Sequence, residues 1–329
     1  MFRKLLIACL TLTLFLTACG SAQTTPQPTA VPTQVLPTAA ATATTAPTAT
    51  VTPIVLTDGL GREVTLPRPA QRVVSLAPSN TEILFAVGAG AQVVGRDEFS
   101  DYPEEAKSVA SIGGSMGQYS LEAITALRPD LVLASGLNSP ELVKSLEDLG
   151  LTVFYLPNPT TLEEMYANLL TVAQLTGREV QAVTLIESLK TRVAAVDQKV
   201  ASASSRPSVF YELDSTDPGK PYTAGPGTFV TLLIERAGGI NVGAKLDSAW
   251  AQISLEQLVV YNPDMIILGD SLFGTTPESV KGRPGWQELQ AVQQDQIYPF
   301  DDNLVSRPGP RLVDGLEQLA KLLHPEVFK

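Results

Sequence analysis

Two stretches of the chain, far apart, repeat one arrangement of polar and apolar positions. Ser120-Leu121-Glu122 is followed, seven residues after the glutamate, by Pro129-Asp130 and the apolar run Leu131-Val132-Leu133-Ala134. Ser254-Leu255-Glu256 is followed at the same spacing by Pro263-Asp264 and Met265-Ile266-Ile267-Leu268. Each serine predicts a helix N-cap, and each glutamate then stands in the first turn, where the helix dipole favours an anion. Each Pro-Asp ends its helix, and the short apolar run after it reads as a buried parallel strand.

The repeat extends outward. Before the first copy, 72–76 reads as a strand, a helix runs from Thr81 to about Gly88, and Val93-Val94 begins another strand. Before the second, 209–213 reads as a strand, a helix runs from Thr228 to Gly238-Gly239, and Ile240-Asn241-Val242 follows. After them, 153–156 corresponds to 297–300. Strands alternating with helices imply parallel sheets covered on both faces. From 178 to 204, Val180, Val183, Ile186, Leu189, Val193, Val196 and Val200 recur at near-helical spacing. That predicts a rod of about 38 Å joining two lobes, which limits how far a cleft between them opens. The fold class is α/β: two pseudo-symmetric lobes of similar build, 54–176 and 206–329, joined by a bridging helix over 177–205, with a ligand cleft between them.

The chain start changes the picture. Arg3 and Lys4 precede an apolar run ending at Leu16-Thr17-Ala18-Cys19. This is the pattern of a signal peptide, 1–18, with a lipobox whose Cys19 becomes the lipidated first residue. Two acyl chains anchor a protein stably. The remainder of 19–53 is uncharged and rich in Thr, Ala and Pro, a composition that predicts a disordered tether. The expected location is outside the cytoplasmic membrane, held by lipid alone, in a periplasm or at a cell surface. Of two cysteines, Cys9 lies in the discarded segment, so neither a disulfide nor a free thiol is expected in the body. The net charge is −11, and loss of Arg3 and Lys4 makes it more negative. With no basic cluster, nucleic acid is excluded as a partner.

Catalytic chemistry is thin. The one histidine, His324 beside Pro325, reads as a surface residue after the last helix. That argues against a histidine-rich zinc site and against a triad with an interior histidine. Gly113-Gly114-Ser115-Met116-Gly117 lacks the ending of a phosphate loop and reads as a turn at the cleft rim. Neither an enzymatic activity nor a cofactor or metal is expected. The loops after the strands, including 77–80, 99–103, 116–119, 135–138, 222–227, Trp250 and 303–311, should line the cleft. They mix aromatic, apolar and amide groups with Arg307 and Arg311, a surface suited to a large flat ligand.

At these residues the chain resembles the metal-chelate class of periplasmic solute-binding proteins of ABC importers. The resemblance rests on 73–82 (VVSLAPSNTE), 127–132 (LRPDLV), 237–242 (AGGINV) and 307–311 (RPGPR). Within the class, Ser100-Asp101-Tyr102-Pro103 and 250–254 look most like the cobalamin binders. The resemblance implies capture of a cobalamin-type corrinoid by Phe99, Met116, Ser135, Tyr222, Trp250, Asn303, Leu304 and Arg307. It implies delivery by a monomer to an ABC permease dimer with cytoplasmic ATPase subunits, docked through Glu122 and Glu256. A tryptophan pair of the best-known cobalamin binder is replaced here by Met116 and Ser135, so a ferric siderophore or haem remains the alternative ligand. A cell-surface hydrolase or an adhesin on a stalk is the more distant reading.

Overall fold

The computed structural model describes residues 52–329. The signal peptide, Cys19 and nearly all of the tether lie outside the described residues. A hairpin that the sequence reading does not contain opens the body: β1 (Ile54–Thr57) pairs antiparallel with β2 (Glu63–Leu66).

The first lobe follows as β3 (Val73–Ser75), α1 (Pro78–Ala86), β4 (Val93–Arg96), α2 (Leu121–Ala126), β5 (Leu131–Ser135), α3 (Pro140–Asp148), β6 (Val153–Leu156) and α4 (Leu162–Thr176). Its sheet is parallel throughout, in the order β4-β3-β5-β6. All five residues of β5 are buried, as a strand covered on both faces requires. α1 begins at Pro78 rather than Thr81. Proline at the helix start lacks only an N–H that would have had no helical partner.

α5 (Glu179–Val200) is the bridging helix, about 33 Å long. Its buried stripe, Ala182, Ile186, Leu189, Val193 and Val196, packs against the first lobe's α4 and the second lobe's α11 (Leu312–Leu323). It is therefore no free rod. One apolar core runs from Val73 and Leu133 through Leu189 and Val196 to Leu316 and Leu323. Arg192 ties α5 to α11 through Glu317 at 2.9 Å and Asp314 at 2.5 Å.

The second lobe comprises β7 (Ser208–Asp214), β8 (Tyr222–Ala224), α6 (Phe229–Arg236), β9 (Ile240–Asn241), β10 (Trp250–Gln252), α7 (Leu255–Tyr261), β11 (Met265–Leu268), α8 (Pro277–Lys281), α9 (Gln290–Gln293), β12 (Ile297–Pro299) and α10 (Asn303–Ser306), before α11. β9, β7, β11 and β12 are parallel, but β8 and β10 add an antiparallel edge, β10-β8-β7. The lobes are thus less alike than the repeat implies: segments expected as cleft loops at 222–227 and 250 begin short strands. His324 is a correction too. It is fully buried at the end of α11, and its ring fills the space that a side chain on Gly238 would need.

The repeat itself has a structural meaning. Ser120 accepts from the Ala123 N–H at 3.1 Å and Ser254 from the Gln257 N–H at 3.2 Å. Both helices are left through a residue with positive φ, Arg128 at 46° and Asn262 at 43°. Each aspartate then fastens the entry of the neighbouring strand. Asp130 accepts from the Gln71 and Arg72 backbone, and Asp264 from the backbone and hydroxyl of Ser208.

Candidate functional site

The carboxyl ends of the two parallel sheets carry the loops of interest. In the first lobe, the loop after β4 is held by a buried chain of hydroxyls. Ser100 donates to Asp97, and the Thr81 hydroxyl lies 2.8 Å from that of Ser75 and 2.7 Å from that of Ser100. Asp97 also accepts the Phe99 N–H at 2.9 Å. Burial pushes the Asp97 carboxyl up, and the Ser100 and Phe99 bonds only partly offset it. With its backbone fixed in this way, the loop presents Phe99, 54 % exposed, and Tyr102, 46 % exposed.

In the second lobe, β8 runs back from the carboxyl end of β7, so Tyr222 lies opposite Asp214. Trp250 lies opposite Ala224, two residues and so about 7 Å further from that end. Both are half-exposed, and Trp250 rests edge-on against Phe229 at 6.1 Å between centroids. Large aromatic surface left in water at strand ends is unpaired apolar area available to a ligand.

The other expected contacts are placed differently. Ser135 is buried, and its loop closes on Asn138, whose side-chain oxygen accepts the Ser135 N–H at 2.8 Å. Leu304 belongs to the core. Asn303 is half-buried and its amide donates to Asp301 at 2.9 Å. For Met116 only the backbone turn Ser115–Gly117 is described; its side chain lies outside the described residues. The two glutamates expected to dock, Glu122 and Glu256, are both exposed in the first turns of α2 and α7. Its own backbone N–H and the Ser254 hydroxyl hold the Glu256 carboxyl below its ordinary value.

Arg307 is engaged across the lobes. Its guanidinium meets Glu82 of α1 at 3.2 Å and Asp101 at 2.6 Å. Arg311 donates to the same Glu82 at 2.8 and 2.5 Å and lies 4.0 Å over the Tyr102 ring. Glu82 is 2 % exposed. Burial alone would raise the Asp101 carboxyl, but the Arg307 bond and charge more than reverse this and bring it below its usual value. The expectation makes Arg307 a ligand contact and sets Arg311 in a loop lining the cleft. The missed signal is Glu82 itself: a lone acid before the apolar run Ile83-Leu84-Phe85 needs a basic partner once buried. Two of the sequence marks, 73–82 and 307–311, are therefore the two halves of one interlobe clamp.

The matched family model is that of the periplasmic binding proteins, over residues 73–304. The chain belongs to this family. It is 35 % identical over 84 % of its length to a protein of Bacillus subtilis (strain 168) described as an uncharacterized ABC transporter substrate-binding lipoprotein, YvrC, of which 87 % is covered. It is 31 % identical over 83 % of its length to a cobalamin-binding protein of Halobacterium salinarum, of which 74 % is covered. Among solved structures, the apo periplasmic heme-binding protein RhuT from Roseiflexus sp. RS-1 superposes with a TM-score of 0.71 at 28 % identity, covering 78 % of this chain and 99 % of that one. The two-lobed α/β build and the class of substrate-binding proteins for transporters follow for this chain.

Proposed function

We propose that the protein captures a corrinoid of the cobalamin type between its lobes and delivers it to an ABC permease whose ATPase subunits are cytoplasmic. The observation that carries the ligand reading is the half-exposed aromatic set Phe99, Tyr222 and Trp250, drawn from both lobes and borne by backbone already hydrogen-bonded. A broad, mostly uncharged ligand gains most from such a surface, because apolar contact supplies affinity and preorganised loops lose little entropy. The likeness to a cobalamin-binding relative supports it. The role is binding without catalysis, and the mature chain is tethered outside the membrane through the lipid on Cys19. No helix among the described residues is long and apolar enough to cross a membrane.

Haem is the second reading, supported by the likeness to RhuT. Iron ligation would then fall to a tyrosine. The Tyr119 hydroxyl donates to the Leu76 carbonyl and accepts from Asn138; Tyr102 and Tyr222 are both exposed, but the Tyr102 ring lies beneath Arg311, so Tyr222 is the candidate to substitute first.

Calorimetric titration of the purified protein with cyanocobalamin, and separately with haemin, tests the proposal. Saturable one-to-one binding of cyanocobalamin is the expected result. Haemin binding that disappears in Tyr222→Phe, with none of cyanocobalamin, would replace the first reading by the second.

A further inference from the structure

A cavity of about 370 Å³ opens where β7 and β11 end, lined by Asp214, Ser215, Asp270, Phe273 and Thr275 among others. It lies outside the expected ligand contacts, and Phe273 stands at its edge 89 % exposed. Asp270 is 5 % exposed. Its Oδ2 accepts from the Ser215 and Thr275 hydroxyls, both at 2.9 Å, while its buried Oδ1 has no hydrogen-bond partner. A buried carboxylate oxygen without a donor costs free energy that a bound donor recovers.

The surroundings select which donor. Arg283 is the cation at hand, and it is committed to Glu212 at 2.6 and 2.9 Å and to Ser215 at 2.7 Å. Asp214 and Asp270 both belong to the cavity lining, which contains no Lys or Arg. The region is therefore net acidic and repels an anionic group. Among the described residues, no three His, Cys, Asp or Glu side chains are arranged to hold a metal ion.

We propose that the Asp270 cavity is a ligand subsite that receives an N–H donor, a peripheral carboxamide of the ligand, and discriminates against a carboxylate at the same position. The carboxamide rests on the corrinoid reading; the donor site does not. The test is calorimetry of the wild-type protein, Asp270→Ala and Asp270→Asn with cyanocobalamin and with its singly hydrolysed monocarboxylates. The expected result is that Asp270→Ala binds cyanocobalamin about ten- to a hundredfold more weakly, and that at least one monocarboxylate is rejected by the wild type but not by Asp270→Ala. Asp270→Asn matches the wild-type side chain in shape and keeps an acceptor oxygen, so it controls for folding and should accept that monocarboxylate better than the wild type. Equal affinities of all three proteins for every ligand would overturn the subsite and leave the corrinoid reading standing. If the wild type ignores cyanocobalamin, the corrinoid reading falls, and the subsite is judged by soaking crystals in acetamide and in methylammonium chloride. Density for either within hydrogen-bond distance of Asp270 Oδ1 supports it, and density for neither overturns it.

Discussion

Glu82 is the residue on which the joint between the lobes turns. Removing it strands two partly buried arginines, so Glu82→Ala should destabilise the protein by about 3–5 kcal/mol, as loss of one partner from a buried ion pair does. Denaturant unfolding checks this, and the unchanged slope expected for a cooperative fold separates it from a change in compactness. The two tryptophans divide the optical signal. Trp286 is fully buried and its indole N–H is bound to the Pro218 carbonyl at 3.0 Å, whereas Trp250 is half-exposed. Trp250→Phe should therefore abolish ligand-induced quenching, and titration of the variant by fluorescence and by calorimetry separates loss of signal from loss of affinity. In the core, Leu133 of β5 has no exposure, and Leu133→Ala should cost about 2–5 kcal/mol by thermal or urea denaturation.

Among elements, the α5–α11 tie sets an acid limit. The Arg192 bond, against a smaller effect of burial, holds Glu317 below its ordinary value near 4.5. A carboxylate lowered in the folded state contributes stability that is present above the unfolded value and lost as pH falls through the folded one. Glu317→Gln should thus lower stability at neutral pH and flatten the loss below about pH 4.5, read as unfolding midpoints across that range. At this same scale the sequence was most readable. β6 and the core of β5 stand where the apolar runs predicted them, because strands buried on both faces leave an uninterrupted apolar signature. The Ser-x-Glu and Pro-Asp repeat announced α2 and α7 because caps and strand-entry aspartates are local chemistry. β8 and β10 escaped notice, since a three-residue edge strand such as Trp250-Ala251-Gln252 has too few positions to show alternation. The clamp escaped for another reason: Glu82 and Arg311 meet only in three dimensions. The burial of His324 is not legible locally, because its neighbour Pro325 points to an exposed chain end while the Gly238 surface that receives its ring lies in a distant segment.

For the whole molecule, the matched glutamates are the feature with the widest reach. Glu122 and Glu256 stand at equivalent turns of two equivalent units, each exposed. If the two glutamates dock the protein on its permease, reversing both, Glu122→Lys with Glu256→Lys, should abolish uptake and leave ligand affinity unchanged; transport that survives in the double variant would reject that expectation. The apolar core that passes through α5 from one lobe to the other has a practical corollary for anyone wishing to turn this protein into a sensor. Dyes placed on the two lobes to report closure by energy transfer would remain nearly silent when ligand enters, because the lobes share their interior and are latched by Glu82. A useful readout has to be local, from a fluorophore set beside Phe99 or Tyr222, where solvent leaves.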